Sequence, residues 1–284
     1  MQSYYADFIG IQKKSKSISN ISHFSGGTIK KMIRLMLSVC VLLVLFGCST
    51  EPKLEEWPIN RLYSEAKEAL DYGDFENAIT YYEMLEARSP FGNYAQQAQL
   101  DLIYAYYKFD EPESAIVAAN RFIQLYPRHP KVDYVYYLKG LVNFERDQST
   151  LTRLFSLDRS QRDQNSAQRS FYDFQELIER FPNSKYSEDA RQRMIHLLNR
   201  MAEHELHVAR FYLKRGAYIA AANRAKGVVE TYQRTPVVPD ALVIMAKAYK
   251  ILGLNDLSES ALEVLKLNHP KHEGIADLEK LVLR

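Results

Sequence analysis

From Trp57 onward the chain carries apolar residues at steps of three and four, with Gly and Pro confined to the boundaries between such stretches. That spacing predicts an almost entirely helical protein. Leu62, Ala66, Ala69 and Leu70 form the i, i+4, i+7, i+8 stripe of a helix packed on one face. Gly73-Asp74 closes it, and Ala78, Ile79, Tyr82 and Leu85 set out a second helix that stops before Pro90. Two short antiparallel helices joined by a Gly-containing turn make a helical hairpin.

The hairpin recurs. Second helices are predicted to stop at Ala87-Arg88-Ser89-Pro90, Gln124-Leu125-Tyr126-Pro127, Glu179-Arg180-Phe181-Pro182 and Leu267-Asn268-His269-Pro270. Eight residues after each proline stands an apolar residue expected to face inward: Ala98, Val135, Ala190 and Leu278. The same offset from Gln233 reaches Ala241, so a fifth copy without proline ends at Thr231-Tyr232-Gln233. The intervals are 37, 55, 51 and 37 residues, near the roughly 34-residue tetratricopeptide period with additions in the middle. Proline ends the helix and drives the residue before it out of the α region. Ala66 with Ala78, and Ala246 with Ser258, are small enough for close helix crossings, with Tyr106 and Tyr249 as larger knobs. The fold expected is an all-α solenoid of about five tetratricopeptide (TPR) hairpins, right-handed, with a concave surface suited to an extended peptide or a partner domain.

Two departures stand out. Leu154-Phe155-Ser156-Leu157-Asp158-Arg159-Ser160-Gln161-Arg162-Asp163 is too polar and irregular to extend either helix of the third unit. It reads as a partner-binding loop or as a salt-bridged brace, with the alternating signs of Asp158, Arg159, Arg162 and Asp163 favouring the brace. From Ser187 to about Arg215 the helical pattern runs unbroken, which suggests one helix shared by neighbouring units.

The region before Trp57 has another character. Lys30, Lys31 and Arg34 precede an apolar run, Leu35 to Phe46, of about a dozen residues, short of the roughly 20 that span a bilayer. Leu45-Phe46-Gly47-Cys48 ends it, and Ser49-Thr50-Glu51-Pro52 breaks any continuing helix. This is expected to be a bacterial lipoprotein signal, making Cys48 the acylated first residue of the mature chain, although Phe46 is bulkier than the residue usual two places before such a cysteine. An uncleaved anchor helix or a buried core helix is the other reading of the run. Residues 1 to 31 have no pattern of their own, and a start near Met32 gives a more ordinary n-region. The expected organisation is 1–47 as upstream extension and signal, 48–60 as lipidated end and linker, with Glu51 to Asn60 a leash. It continues with 61–185 as an N-terminal half of repeats 1–3 with an insertion about 147–165, and 186–284 as a C-terminal half of repeats 4–5 and a terminal helix.

Removing the signal changes the charge. The whole chain has 37 basic and 35 acidic residues, whereas the part from Cys48 has 31 and 34, so nothing recommends nucleic acid as a partner. Cys40 lies within the signal, leaving one cysteine and no internal disulfide in the mature chain. Enzymatic chemistry finds little support. Glu203-His204-Glu205-Leu206-His207 puts two histidines three apart, not at the four-residue spacing of zinc proteases, and no metal site is expected. There are 11 glycines and no phosphate-binding Gly-rich loop, and Glu55-Glu56 are surface-like neighbours. No cofactor is expected beyond the N-acyl and S-diacylglycerol lipid on Cys48.

The residues resemble a known family. Pro90-Phe91-Gly92-Asn93-Tyr94-Ala95-Gln96-Gln97-Ala98-Gln99-Leu100-Asp101-Leu102-Ile103-Tyr104-Ala105-Tyr106-Tyr107-Lys108 is similar to the most recognisable stretch of the BamD family, lipoproteins of the β-barrel assembly (BAM) machinery of Gram-negative outer membranes. Further resemblances are Arg121-Phe122-Ile123, His129-Pro130, Asp133-Tyr134-Val135, Asp158-Arg159-Ser160, Pro182-Asn183-Ser184, Arg215-Gly216-Ala217 and Asn223-Arg224. The resemblance implies a periplasmic scaffold tethered to the outer membrane, with Ser49 after the lipidated cysteine similar to an outer-membrane sorting signal. Its C-terminal repeats would dock the POTRA domains of the barrel subunit BamA, and its N-terminal repeats would engage unfolded outer-membrane proteins and a BamC-like lipoprotein. Asn223 and Arg224 are the implied BamA contacts; the neighbouring Ala220-Ala221-Ala222 would allow close approach, while an internal pair, for instance with Glu230, is the plainer role for Arg224. Tyr63, Phe91, Tyr94, Tyr104 and Tyr107 are candidates for the groove, in a chain with 20 tyrosines. Tyrosine offers broad contact with few rotamers to freeze, although most tyrosines of a repeat serve as core knobs. In Pro90-Phe91-Gly92 the glycine fits a turn that needs an unusual backbone conformation. A TPR lipoprotein of another envelope machine, such as a pilotin, is the alternative. An enzyme with a repeat appendage would need a catalytic domain for which no residues remain.

Overall fold

A computed structural model of the chain describes residues 53–145 and 164–281. The chain divides into a segment ending at Glu56, which contains a short 3-10 helix, Leu54–Glu56, and a compact unit from Trp57 onward. In the second unit eleven helices are described: α1 (Ile59–Tyr72), α2 (Phe75–Arg88), α3 (Ala95–Lys108), α4 (Pro112–Leu125), α5 (Val132–Glu145), α6 (Asn165–Arg180), α7 (Ser187–Lys214), α8 (Tyr218–Thr231), α9 (Val238–Ile251), α10 (Asn255–Asn268) and α11 (Gly274–Lys280). They pair as five hairpins, α1–α2 to α9–α10, followed by α11. First arms also touch across units, α1 with α3, α3 with α5, α7 with α9, so they line one common face.

The unit begins at Trp57, where the helical pattern starts, and so ahead of the boundary expected at residue 61. Trp57 is 9% exposed, its ring 5.7 Å from that of Tyr81 and covered by the Arg61 guanidinium at 3.9 Å. Arg88 donates to its carbonyl. Helix α1 starts at Ile59, so Trp57 to Asn60 belong to the folded unit and not to the leash.

Each junction between units repeats one backbone design. Ser89, Tyr126, Phe181, Tyr232 and His269 all leave the α region while their N–H still reaches the carbonyl four residues back. Before proline, ψ is 57° to 63°, short of full extension; at Tyr232, where no proline follows, it is 41°. Two turns follow at fixed three-residue steps, as in His129 N–H to Tyr126 O and Val132 N–H to His129 O. The design therefore persists without the proline, which reinforces it and is not its sole cause. The inward positions Ala98, Val135, Ala190, Ala241 and Leu278 are all buried, at 0 to 3% exposure.

Within hairpins the turn needs one left-handed residue, supplied by Gly73 (φ 81°), Gly216 and Gly253 (both 75°). Asp110 holds the same place at φ 63°. Where arms cross, buried small residues recur: Ala66 and Ala78, Ala209 and Ala221, Ala246 and Ser258. Ser258 donates to the Ala246 carbonyl, and Ser170 to that of Gly140. A Cβ on Gly140 would overlap the Phe174 ring.

Eight of these helices have 14 residues, and α7 has 28, twice the standard arm. Its first part packs on α6 and carries Leu197 and Met201 into one core cluster, while Leu206 and Ala209 enter the next with α8. Counting from the junction, Ile195 stands where Ile103, Gly140 and Ala246 cross a second arm. It is 60% exposed, and the crossing comes 14 residues later, at Ala209.

Candidate functional site

The tyrosine-rich first arms are built as a ladder of rings. Tyr63 on α1 stacks on Tyr94, at 4.5 Å and 19°, and meets Tyr82 edge-on. On α3, Tyr104 lies 6.2 Å from Tyr107, with the Lys108 ammonium over both rings. On α5, Tyr134 and Tyr137 both pack on Tyr186, at 5.4 and 4.8 Å. Four of the candidates, Tyr63, Tyr94, Tyr104 and Tyr107, thus lie along this ladder. Phe91 is 84% exposed in the turn before α3 and joins no ring pair among the described residues. Gly92 beside it has no positive φ; a Cβ there would run into the Ser89 hydroxyl, so close approach, and not an unusual backbone angle, favours glycine.

Many ring hydroxyls are already spent on carboxylates of a neighbouring unit. Tyr82 donates to Asp101 (3.2 Å), Tyr106 to Glu83 (2.5 Å), Tyr107 to Glu145 (2.6 Å) and Tyr137 to Asp189 (2.6 Å). Burial and then the adjacent carboxylate push the Tyr82, Tyr106 and Tyr107 hydroxyls well above their ordinary range, and Tyr137 to about 12. Such neutral, hydrogen-bonded hydroxyls act as clasps between units. The Tyr107 hydroxyl is accordingly engaged within the fold.

The second candidate region is α8. Asn223 and Arg224 are both exposed. The Arg224 Nη1 donates to both Glu205 oxygens, at 2.9 and 3.2 Å, and this hydrogen bond, then the Glu205 charge, raises the guanidinium above its ordinary value. The internal partner is thus Glu205 on α7, while Glu230 meets Lys226 at 3.5 Å. Ala221 and Ala222 are turned into the core at 0 and 1% exposure, since with Ala225 and Val228 they form the inward stripe of α8; they are not an approach surface. The open side is at Gly227, one turn after Asn223, where a Cβ would meet nothing within 4 Å. Asn223 also borders a recess of about 470 Å³ with Ala217, Ile219 and Leu252.

Cys48 and the insertion residues Asp158, Arg159, Arg162 and Asp163 lie outside the described residues. The run Glu203 to His207 falls within α7, where Glu205 serves Arg224. Among the described residues no group of three or more His, Cys, Asp or Glu is placed to hold a metal ion, and no helix is long and apolar enough to cross a membrane.

Five hairpins with shared first-arm faces and an aromatic ladder define a TPR-type helical solenoid. Residues 55–265 match the family model described as YfiO, outer membrane lipoprotein. The chain belongs to this family, whose curated members carry the name outer membrane protein assembly factor BamD. It is 43% identical over 247 residues to the BamD of Neisseria meningitidis serogroup B, covering 84% of this chain and 92% of that one. It is 44% identical over 228 residues to that of Vibrio cholerae, covering 80% and 95%. With the BamD of Haemophilus influenzae it shares 33% over 251 residues, 88% and 95% of the two chains. Among solved structures, MamA overlays with a TM-score of 0.32 at 17% identity, covering 80% of this chain and 97% of that one, a likeness that carries no functional argument.

Proposed function

We propose that this protein is a lipid-anchored, periplasm-facing scaffold of the outer-membrane β-barrel assembly machinery, holding unfolded outer-membrane proteins and the barrel subunit BamA for assembly and insertion. The observation that carries this is the identity of 43 to 44% with proteins named outer membrane protein assembly factor, over at least 80% of the chain. The geometry supports a division of labour. The aromatic ladder of α1, α3 and α5 suits an extended, aromatic-bearing substrate, or the extended segment of a BamC-like lipoprotein where one exists, by ring contact. The exposed Asn223–Arg224–Gly227 side of α8 suits a folded partner such as a POTRA domain. The protein works by binding and not by catalysis. Its anchor is the acyl-modified Cys48, since one chain holds weakly and several hold stably.

Affinity purification from membranes tests the reading: a BamA-like barrel should accompany the protein, and depletion should lower outer-membrane barrel levels. Unchanged barrel levels on depletion would overturn it. Cys48→Ala should leave the solenoid folded but release it from the membrane unless BamA retains it.

A further inference from the structure

Between the third and fourth units, where the starts of α5 and α7 meet, the first-arm face holds a recess of about 390 Å³ lined by Pro130, Lys131, Asp133, Tyr134, Lys185 and Tyr186. Its charges are unevenly matched. Asp133 is occupied on both oxygens, one accepting the Tyr134 N–H at 2.8 Å and the other the Ser184 hydroxyl at 2.7 Å. Asp101, the next acid along the face, accepts from Gln97 and Tyr82. Lys131 donates to the neutral Gln97 amide oxygen, at 3.1 Å, and acts on Asp101 by charge without pairing with it, while Lys185 lies over the Tyr186 ring at 5.0 Å. Both lysines are exposed, and neither is in an ion pair within the described residues. The tyrosine clasps hold Asp101, Glu145 and Asp189 in place within the fold; these acids keep their charge, but none of them forms an ion pair with Lys131 or Lys185 among the described residues.

We infer that this recess is a carboxylate subsite of the tyrosine face: Lys131 and Lys185 receive an aspartate or glutamate side chain of an extended peptide whose neighbouring residues lie on Tyr134 and Tyr186. The inference rests on the proposed peptide-holding role of that face. The ladder decides for a side chain over a chain end. Rings stand before the lysines on α3, at Tyr104 and Tyr107, and one turn past Tyr134 on α5, where Tyr137 stacks on Tyr186, so a peptide turning along α5 keeps ring contact beyond the recess and does not stop there. The lining carries two ammonium groups against the single carboxylate of Asp133, already hydrogen-bonded on both oxygens, so charge-assisted hydrogen bonds from the lysines select an acid over its amide. In strands of alternating character, every second side chain would face the ladder, giving an acid-and-aromatic register.

The test uses the full chain and two labelled ten-residue peptides alternating tyrosine with threonine, one carrying a central glutamate and the other glutamine, read by fluorescence anisotropy. The glutamate peptide should bind about three- to tenfold more tightly, an advantage that shrinks as salt rises. The pair Lys131→Gln and Lys185→Gln should erase that advantage while leaving the glutamine peptide's affinity and the thermal midpoint unchanged. Equal binding of the two peptides, or an advantage that survives the double variant, overturns the subsite but leaves the tyrosine face as a peptide holder. If neither peptide binds and Tyr134→Ala changes nothing, the peptide-holding reading itself falls. Phosphatidylglycerol vesicles are the competitor: lysine-dependent capture of vesicles that displaces the glutamate peptide reassigns the recess to lipid headgroups and overturns the proposal.

Discussion

Arg224 is asked to do two things, and a charge swap separates them. In the free protein its Nη1 is 2.9 and 3.2 Å from the Glu205 oxygens, with the two side chains 49% and 26% exposed. At that exposure solvent screens the pair, and it is worth about 0.5–1 kcal/mol. For a unit of this size Arg224→Ala should therefore lower the thermal midpoint by roughly 1–4 °C. Arg224→Glu should lower it further, by about another 1 kcal/mol, because two carboxylates then face each other across α7 and α8. The double exchange Arg224→Glu with Glu205→Arg rebuilds the bridge with the signs reversed and should return most of the lost stability.

Binding should not follow stability. If Arg224 meets an acidic surface of BamA, both Arg224→Glu and the exchanged pair lose co-purification, because each presents the wrong charge outward. If Arg224 merely fastens α8 to α7, the exchange restores folding and co-purification together, and the contact proposal fails. The stability side has its own refutation: a double-mutant cycle over Arg224 and Glu205 with no coupling energy would mean that the bridge is not populated in solution.

Four further outcomes follow from the packing. Gly140→Ala drives a methyl into the buried Phe174 ring and should cost about 1–3 kcal/mol in thermal or urea unfolding, and an unchanged midpoint would mean that α5 and α6 do not approach so closely. Asp110→Gly relieves the left-handed turn that glycine serves in three other hairpins and should stabilise by about 0.5–1 kcal/mol, whereas Gly73→Ala should cost about 1 kcal/mol. Ile195→Ser should shift stability by less than about 0.5 kcal/mol and Leu197→Ala, fully buried two residues away, should cost about 2–5 kcal/mol, both read by unfolding. Asp189 is partly desolvated, which raises its pKa, but the Arg193 and Tyr137 hydrogen bonds prevail and hold it below the ordinary 3.8. Its stabilisation should be complete above that ordinary value and lost as pH falls through the depressed one, so the midpoint gap between the wild type and Asp189→Asn should close in acid.

The repeats were legible in the sequence because their determinants are local. A stop signal and an inward residue at a fixed offset survive any insertion between units, which is why Ala241 is found without a proline at Gln233. The long α7 was equally readable, since nothing between Ser187 and Arg215 breaks a helix. What could not be read was pairing across units. The tyrosine clasps join residues 19 to 52 apart, and Arg224 lies 19 from Glu205, distances at which many acids compete as partners. The alanines before Asn223 were misjudged for another reason. Small residues suit both a close internal crossing and a close external approach, and only the position of α7 decides that Ala221 faces inward. Lys131 and Lys185 carried no signal, because lysines outside helices are ordinary until the acids around them are seen to be taken.

The doubled length of α7 accounts for a surface that the repeat pattern alone would fill. Fourteen added residues make about 3.9 helical turns, so Ala209 points within roughly 40° of the direction of Ile195 but about 21 Å further along the axis. Helix α8 therefore packs on the same side of α7, one arm length displaced, and among the described residues no second arm lies opposite Ile195. That vacancy is the recess of about 660 Å³ bordered by Ile195, Leu198, Asn199 and the turn from Glu230 to Thr235. A shorter α7 would carry Arg224 and Asn223 toward the tyrosine ladder. The same inserted arm that leaves Ile195 exposed thus sets Arg224 about one arm length further from the tyrosine ladder than a standard unit would.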